Sequence, residues 1–350
     1  MKPENLLAKL RYPIIQGPTA GGFCSPEEIA GVGNAGGIGS LGASLLSPDA
    51  LRAQVAQIRA LTNEAFLLNF FVQQTPAPTE DEVEAASILL KSVWQSLGWQ
   101  TLPRPAQWCQ DFNAQFATLL ELKPAGASFT FGILQQEQVA QLHAAGIAVI
   151  GTITHVDEAL AWQAIGADAV IASGIEAGGH RGTFIGRQED ATLSTSALWP
   201  QVVAAVSIPV IAAGGIMDGA DIAAALALGA SAVQMGTAFL VTDEATSHPA
   251  YKAKLLSGNA STRLTRAFSG RYARGIENAF MRQMAAVEAQ VPAYPVQNAL
   301  TTSIRAAAAV NNDPELMSLW AGTGVNRARA MPVAQLMATL AAELEIAQQA

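Results

Sequence analysis

The stretch ASGIEAGGHRGTF, Ala172 to Phe184, sets His180 and Arg181 behind two glycines, with Glu176 four residues ahead of the histidine. Imidazole has a reference pKa of ~6.5, so it suits moving a proton or holding an anion near neutral pH. Gly178, Gly179 and Gly182 leave room for a flat ring and a substrate to approach the backbone. The pattern points to His180 as a catalytic group, with Glu176 and Arg181 as side chains that orient it. The competing reading is a polar loop in solvent. The other histidines lack such a setting. His143 falls mid-helix, His155 at a helix start and His248 before a proline.

Two further stretches read as anion-binding loops. IPVIAAGGIMDGAD ends an apolar run in Gly214 and Gly215, and AVQMGTAF ends another in Met235, Gly236 and Thr237. Glycine lets backbone N–H groups close on a phosphate, a helix N-terminus favours its charge, and a threonine hydroxyl adds a donor. GVGNAG, Gly31 to Gly36, has the dinucleotide-binding spacing. It closes a helix instead of following a strand, so it reads as a packed turn.

These loops need strands to carry them. The candidates are Pro13–Gln16, Ile38–Leu41, Phe66–Phe71, Ala127–Phe131, Ala148–Thr152, Ala169–Ala172, Val210–Ala213 and Ala232–Met235. Most are continuous apolar runs, as in parallel strands buried on both faces. Helical stretches separate them, such as SPEEIAGVGNA with Ser25 as N-cap and Pro26 as first helical residue. The expected fold is α/β, a (β/α)8 TIM barrel, whose seventh and eighth strands end in the two glycine loops. Such barrels bind phosphate there.

Residues 1–240 are expected to form this barrel, 241–310 a helical cap over its mouth, and 311–350 a segment returning to the barrel. The cap is inserted near the last barrel helix. HPAYKAKLLSG, ENAFMRQMAAVEAQ and LTTSIRAAAAV read as cap helices joined by Arg- and Tyr-rich loops. Gln73 to Pro124 is too long for one crossover and carries the helical TEDEVEAASILLKSVWQSLG.

Composition bounds the function. Half of the 350 residues are hydrophobic and 14% are charged, enough for a large core and too apolar for disorder. A net charge of −8 without a basic run argues against nucleic acid. Cys24 and Cys109 stand far apart without metal-ligand spacing, which argues against a disulfide scaffold or a zinc site and fits a reducing, cytoplasmic setting; no metal is expected. MKPENLLAKLRYP lacks the apolar core of a signal peptide, and no apolar run is long enough to span a bilayer.

The segments PIIQGPTAGG, NAGGIGSLGA, NFFV, GIEAGGHRGTF, PVIAAGGI, QMGTAF, AFSGRYARGIEN and SLWAGTG follow one another along nearly the whole chain. Through them the sequence resembles the nitronate monooxygenases, formerly 2-nitropropane dioxygenases, of the class carrying GGHRG. The resemblance implies a flavoprotein of nitroalkane detoxification. Such an enzyme oxidises alkyl nitronates or propionate 3-nitronate with O2 to carbonyl products and nitrite or nitrate.

Carried over residue by residue, the resemblance implies FMN as cofactor. Its phosphate would lie on Gly215, Gly236 and Thr237, beside Gly214, Gln234 and Met235. Gln16 and Gly17 would line the flavin, Asn69 would hydrogen-bond its ring, and Gly178 would border it. His180 falls on the catalytic histidine, which would hold a nitronate as imidazolium or take the α-proton of a neutral nitroalkane. Two positions depart from the family pattern. Ser173 and Thr323 stand where many members have Gln, so two long amides beside the flavin become short hydroxyls.

The cap tyrosines Tyr251 and Tyr294 are expected to bind a substrate carboxylate, which would favour propionate 3-nitronate. Tyr272 and the arginines Arg263, Arg266, Arg271 and Arg274 share that cap. The chain is similar, more distantly, to flavin-dependent enoyl-acyl carrier protein reductases, which use NAD(P)H. The remaining alternative is an FMN-binding barrel without turnover. Purine-nucleotide dehydrogenase barrels need a nucleophilic cysteine after strand six, and none follows Cys109. The expected partners are a small nitronate and O2, and the chain admits a homodimer.

Overall fold

The computed structural model describes residues 6–349. Residues 1–5, which open both the stretch read for a signal peptide and the 1–240 unit, lie outside them, as does Ala350. In chain order the strands are β1 (Ile14–Gln16), β2 (Gly39–Gly42), β3 (Phe66–Phe71), β4 (Gly126–Thr130), β5 (Ala148–Ile153), β6 (Ala169–Ser173), β7 (Gly179–His180), β8 (Val210–Ala213), β9 (Ala232–Met235), β10 (Thr262–Thr265) and β11 (Ala273–Ile276).

Eight of them pair in parallel in the order β1-β9-β8-β6-β5-β4-β3-β2. The ring closes where Gln16 N donates to Ile38 O (2.9 Å) and Ile38 N to Ile14 O (3.0 Å). This is the expected (β/α)8 barrel. Alternation along each strand divides the core in two. Ile15, Leu67, Ile150, Ile171 and Ile211 cluster with one another, while Ile14, Leu68, Val149, Val170 and Val210 cluster with the helices. Gly151 is required by this packing, because a Cβ there would lie 2.3 Å from the Trp162 ring.

The helices start where their caps dictate. Ser25, Ser47, Asp111, Ser194 and Asp218 each accept from a backbone N–H in the first turn of the helix that follows. After β9 the chain leaves the barrel. It returns as the helix Val333–Gln349, which packs on the helices Pro26–Asn34 and Gly219–Ala227 and so fills the last helical place in the ring.

The excursion between differs from the expected chain of helices. RLTRAFSGRYARG forms β10 and β11, an antiparallel pair, and β11 pairs in turn with β7, setting Ala273 opposite His180. ENAFMRQMAAVEAQ is α-helical only over Ala279–Met284. Strands of four residues whose partner lies far along the chain leave almost no periodic trace. TEDEVEAASILLKSVWQSLG breaks at Leu90 into the helices Glu80–Leu89 and Lys91–Ser96. Val83, Leu90 and Trp94 from this insertion join Tyr251, Phe268, Phe280, Leu300 and Ile304 in a hydrophobic cluster of their own. No described helix is long and apolar enough to cross a membrane.

Candidate active site

The strand C-termini and the excursion enclose a cavity of about 1060 Å3. Of the candidate site residues, all but Gln16 and Thr323 line it. Gln16 ties β1 to β2 behind the wall. Its Oε1 accepts from Ser40 N (2.8 Å), and its Nε2 donates to Gly17 O (2.7 Å) and approaches Cys24 Sγ (3.0 Å). Thr323 is exposed. Its neighbours Gly322 and Gly324 supply the lining while its own N–H donates to Glu176 O (3.0 Å). Cys24 is a buried thiol whose pKa is pushed up to about 12 by that burial.

One end of the cavity is built for an anion. The backbone N–H groups of Gly215, Gly236 and Thr237 have no hydrogen-bond partner among the described residues. Thr237 Oγ1 accepts from Gly322 N (3.0 Å), which leaves its proton to donate. Gly214 (φ 120°) and Gly215 (φ 73°) hold left-handed backbone that a Cβ would strain. The chain after Met235 enters a turn and not a helix, so its donors come from the turn itself.

Next to this end the wall offers acceptors. Gln234 Oε1 is buried without a partner. Asn69 Nδ2 is taken up by Ser128 Oγ (2.9 Å) and Thr130 Oγ1 (3.3 Å), which leaves Oδ1 unpaired. A phosphate and a flat ring bearing N–H donors fit this set.

His180 stands on β7 within a cage of four rings. Its centroid lies 6.3 Å from that of Phe71, 5.4 Å from Phe131, 5.7 Å from Tyr294 and 5.3 Å from Trp320. Phe131 holds left-handed backbone (φ 78°), strain that a non-glycine residue keeps only where its surroundings fix it. His180 Nε2 lies 2.8 Å from Ser269 Oγ, and Ser269 Oγ lies 3.0 Å from Arg271 O. A carbonyl can only accept, so the single hydroxyl proton goes to Arg271 O. Nε2 therefore carries the imidazole proton, and Nδ1 keeps a free lone pair. Nδ1 has no partner among the described residues.

Burial, with the charges of Arg271 and Arg305, lowers the His180 pKa to about 3. A ring held neutral in this way favours proton abstraction over the imidazolium, the two roles open to His180 from the sequence.

The tyrosines part company. Tyr251 donates its hydroxyl to Trp320 O and packs edge-on against Phe23, so it has no donor to offer a substrate. Tyr294 Oη is buried with no partner, and burial raises its pKa. The four cap arginines reach backbone carbonyls: Arg263 that of Met281, Arg266 that of Gly270, Arg271 that of Arg181, and Arg274 that of Ile175. Arg181 is 1% exposed and bonds to Gly174 O (2.6 Å) and Ser173 O (2.9 Å), so it is an internal strut. Glu176 accepts from Thr195 N (2.8 Å) at the start of the helix Thr195–Ala205.

Sequence reasoning missed Arg305, which lines the cavity. Its Nε and Nη2 bond to Thr301, Asn298 and Thr302, and Nη1 is left without a partner among the described residues. It was legible as the lone charge in the helical LTTSIRAAAAV. Ser269 had no such signal, since it meets His180 across 89 residues.

The family profile for nitronate monooxygenase matches residues 4–343. A probable nitronate monooxygenase of Staphylococcus aureus is 38% identical over 336 residues, covering 95% of this chain and 94% of that protein. A crystal structure of nitroalkane oxidase from Streptomyces ansochromogenes superposes with a TM-score of 0.91 at 41% identity, over 99% of both chains. FabK from Thermotoga maritima superposes with a TM-score of 0.75 at 30% identity, over 98% of this chain and 96% of that one.

Proposed function

The chain belongs to the nitronate monooxygenase family, and on that premise we propose that it is an FMN-dependent oxidoreductase acting on nitronates, propionate 3-nitronate among them, with O2. The observation that carries this reading is a neutral His180, its Nδ1 unpaired, sharing one cavity with an array of unpaired backbone N–H groups.

The N–H groups of Gly215, Gly236 and Thr237 would hold the FMN phosphate, and Gln234 Oε1 and Asn69 Oδ1 would accept from the ring. FMN bound there would supply the redox chemistry, taking electrons from the nitronate and passing them to O2. Toward a neutral nitroalkane, His180 Nδ1 takes the α-proton and Ser269 holds the opposite edge of the ring. Arg305 Nη1 and Tyr294 Oη are the donors left for the anion, either the nitronate oxygens or a remote carboxylate. The four rings around His180 keep water from competing.

Purified protein is expected to show an FMN spectrum and nitronate-dependent oxygen uptake. Recovery of FAD, or of colourless protein indifferent to FMN, overturns the cofactor assignment. Flavin reduction by NAD(P)H without reaction toward nitronates replaces this reading by a reductase.

The Tyr294 hydroxyl also sets substrate preference. A charge-assisted hydrogen bond in a desolvated site is worth ~1.5–3 kcal/mol, tenfold or more in kcat/KM. Tyr294→Phe should lower kcat/KM for propionate 3-nitronate by roughly tenfold relative to propyl nitronate. Tyr251→Phe, whose hydroxyl serves Trp320 O, should leave that ratio unchanged. Equal losses on both substrates in Tyr294→Phe would remove the tyrosine from carboxylate recognition.

A further inference from the structure

Glu158 lies in the first turn of the helix Val156–Ala164, just past β5, with its side chain fully buried. A buried carboxylate persists only where its oxygens are satisfied. This one accepts four hydrogen bonds. Oε2 takes Thr154 N (2.6 Å) and the Thr154 hydroxyl (2.9 Å), and Oε1 takes Phe184 N (2.5 Å) and Ile185 N (3.1 Å). Among the described residues no lysine or arginine stands within ion-pair distance, and the cationic candidate in reach is His155 Nε2 at 3.6 Å. The carboxylate therefore joins the end of β5 to the loop that begins one residue after His180.

The same loop is fixed at two more points. The Thr154 and Thr183 hydroxyls meet at 2.8 Å. From the other side, Arg271 donates to Arg181 O (2.8 Å) and to Thr183 O. β7 is only two residues long, too short to hold the loop by its own ladder. Glu158 also places a negative charge near the buried guanidinium groups of Arg181 and Arg271, favouring both.

We propose that Glu158 is a positioning residue, whose carboxylate fixes the segment 181–185 and thereby the aim of His180 Nδ1 into the cavity. It does not line the cavity and touches no substrate. The inference rests on the proton-abstracting role of His180 given above.

Glu158→Gln keeps the shape and removes one acceptor oxygen. Two of the four N–H and O–H donors then face an amide NH2 and lose their partner. A displacement of about 1 Å at a catalytic group costs on the order of 100-fold. The expected result is a roughly 100-fold fall in kcat for a neutral nitroalkane, with KM and FMN content nearly unchanged. Turnover of preformed nitronate, which needs no proton abstraction, should fall far less. The 15N spectrum of labelled histidine should show His180 losing its single Nε2–H tautomer.

An unchanged kcat on the nitroalkane overturns the proposal. So does an equal fall on both substrates accompanied by loss of FMN, which marks a residue needed only for folding. Should Glu158→Gln fail to fold, Thr183→Val removes the hydroxyl bridge alone. The same split between nitroalkane and nitronate, at smaller size, is then expected, and its absence is decisive against the idea. If the wild-type enzyme oxidises neither substrate, the proposed function fails. The tautomer measurement still tests Glu158 in that case.

Discussion

His180→Asn is expected to yield a folded, FMN-containing protein that has lost about 10²–10⁴-fold in kcat/KM for a neutral nitroalkane, the range that general-base catalysis supplies. Asparagine preserves a polar group of similar reach but offers no basic lone pair. The change costs little packing, because three of the ring neighbours of His180, Phe71, Phe131 and Tyr294, also pack on one another, and Trp320 packs on Phe268. Preformed nitronate should be oxidised with a much smaller loss, since its proton is already gone.

A second observation bears on the same residue. With its pKa lowered to about 3, the His180 ring stays neutral from weakly acidic pH upward. The wild-type kcat/KM should then show no acid limb near pH 6–7 from this group. A nitroalkane rate in His180→Asn equal to wild type removes the histidine from catalysis. An acid limb near pH 6.5 that vanishes in the variant gives the neutral base an ordinary pKa instead, whereas a rate that falls as pH rises through that value restores the imidazolium.

Glu28→Gln is expected to stabilise the protein at alkaline pH. Glu28 sits in the helix Pro26–Asn34, 1% exposed, with Oε2 unpaired and Oε1 at 3.4 Å from the Thr242 hydroxyl. Burial raises its pKa from 4.5 to about 8, with Glu244 adding to the shift and Lys252 opposing it. The folded state thus holds a proton that the unfolded chain releases near pH 4.5. Stability attributable to this group is full below that value and is lost as pH rises toward 8.

Each pKa unit is worth ~1.36 kcal/mol, so the loss at pH 9 is on the order of 3–5 kcal/mol. Glutamine mimics the neutral carboxyl at every pH. Denaturant melts at pH 5 and pH 9 should show wild type and Glu28→Gln nearly equal at the first and the variant more stable at the second. A variant that is less stable at pH 9 shows that the ionised carboxylate is the native form.

The parts of this molecule that were legible in the sequence are those encoded locally. Continuous apolar runs such as Val210–Ala213 announced buried strands, and Gly214, Gly215 and Gly236, singled out in the sequence, line the cavity. His180 was conspicuous because a polar histidine among glycines has little to do in a core. What stayed hidden depends on direction or on distance along the chain. Gln16 is in the right strand but points behind the wall, as strand alternation requires of every second residue. Tyr251 is in the right place, yet its hydroxyl is claimed by a carbonyl 69 residues away. The protonation of His180 is decided by Ser269 in a segment whose pairing with β7 no short-range pattern encodes.

That pairing of β7 with β11 also has a consequence for biogenesis. On the ribosome, His180 emerges long before Ala273, its partner on β11, and longer still before the helix that completes the ring. Elements with distant partners are ordered only after those partners exist. A nascent chain can lay down strands β1 to β6 in order, yet the imidazole has no fixed tautomer and no cage until the tail folds back over it. The geometry of His180 is therefore absent from a chain that stops short of Ser269 and β11, and it is set only once that excursion has folded over the barrel.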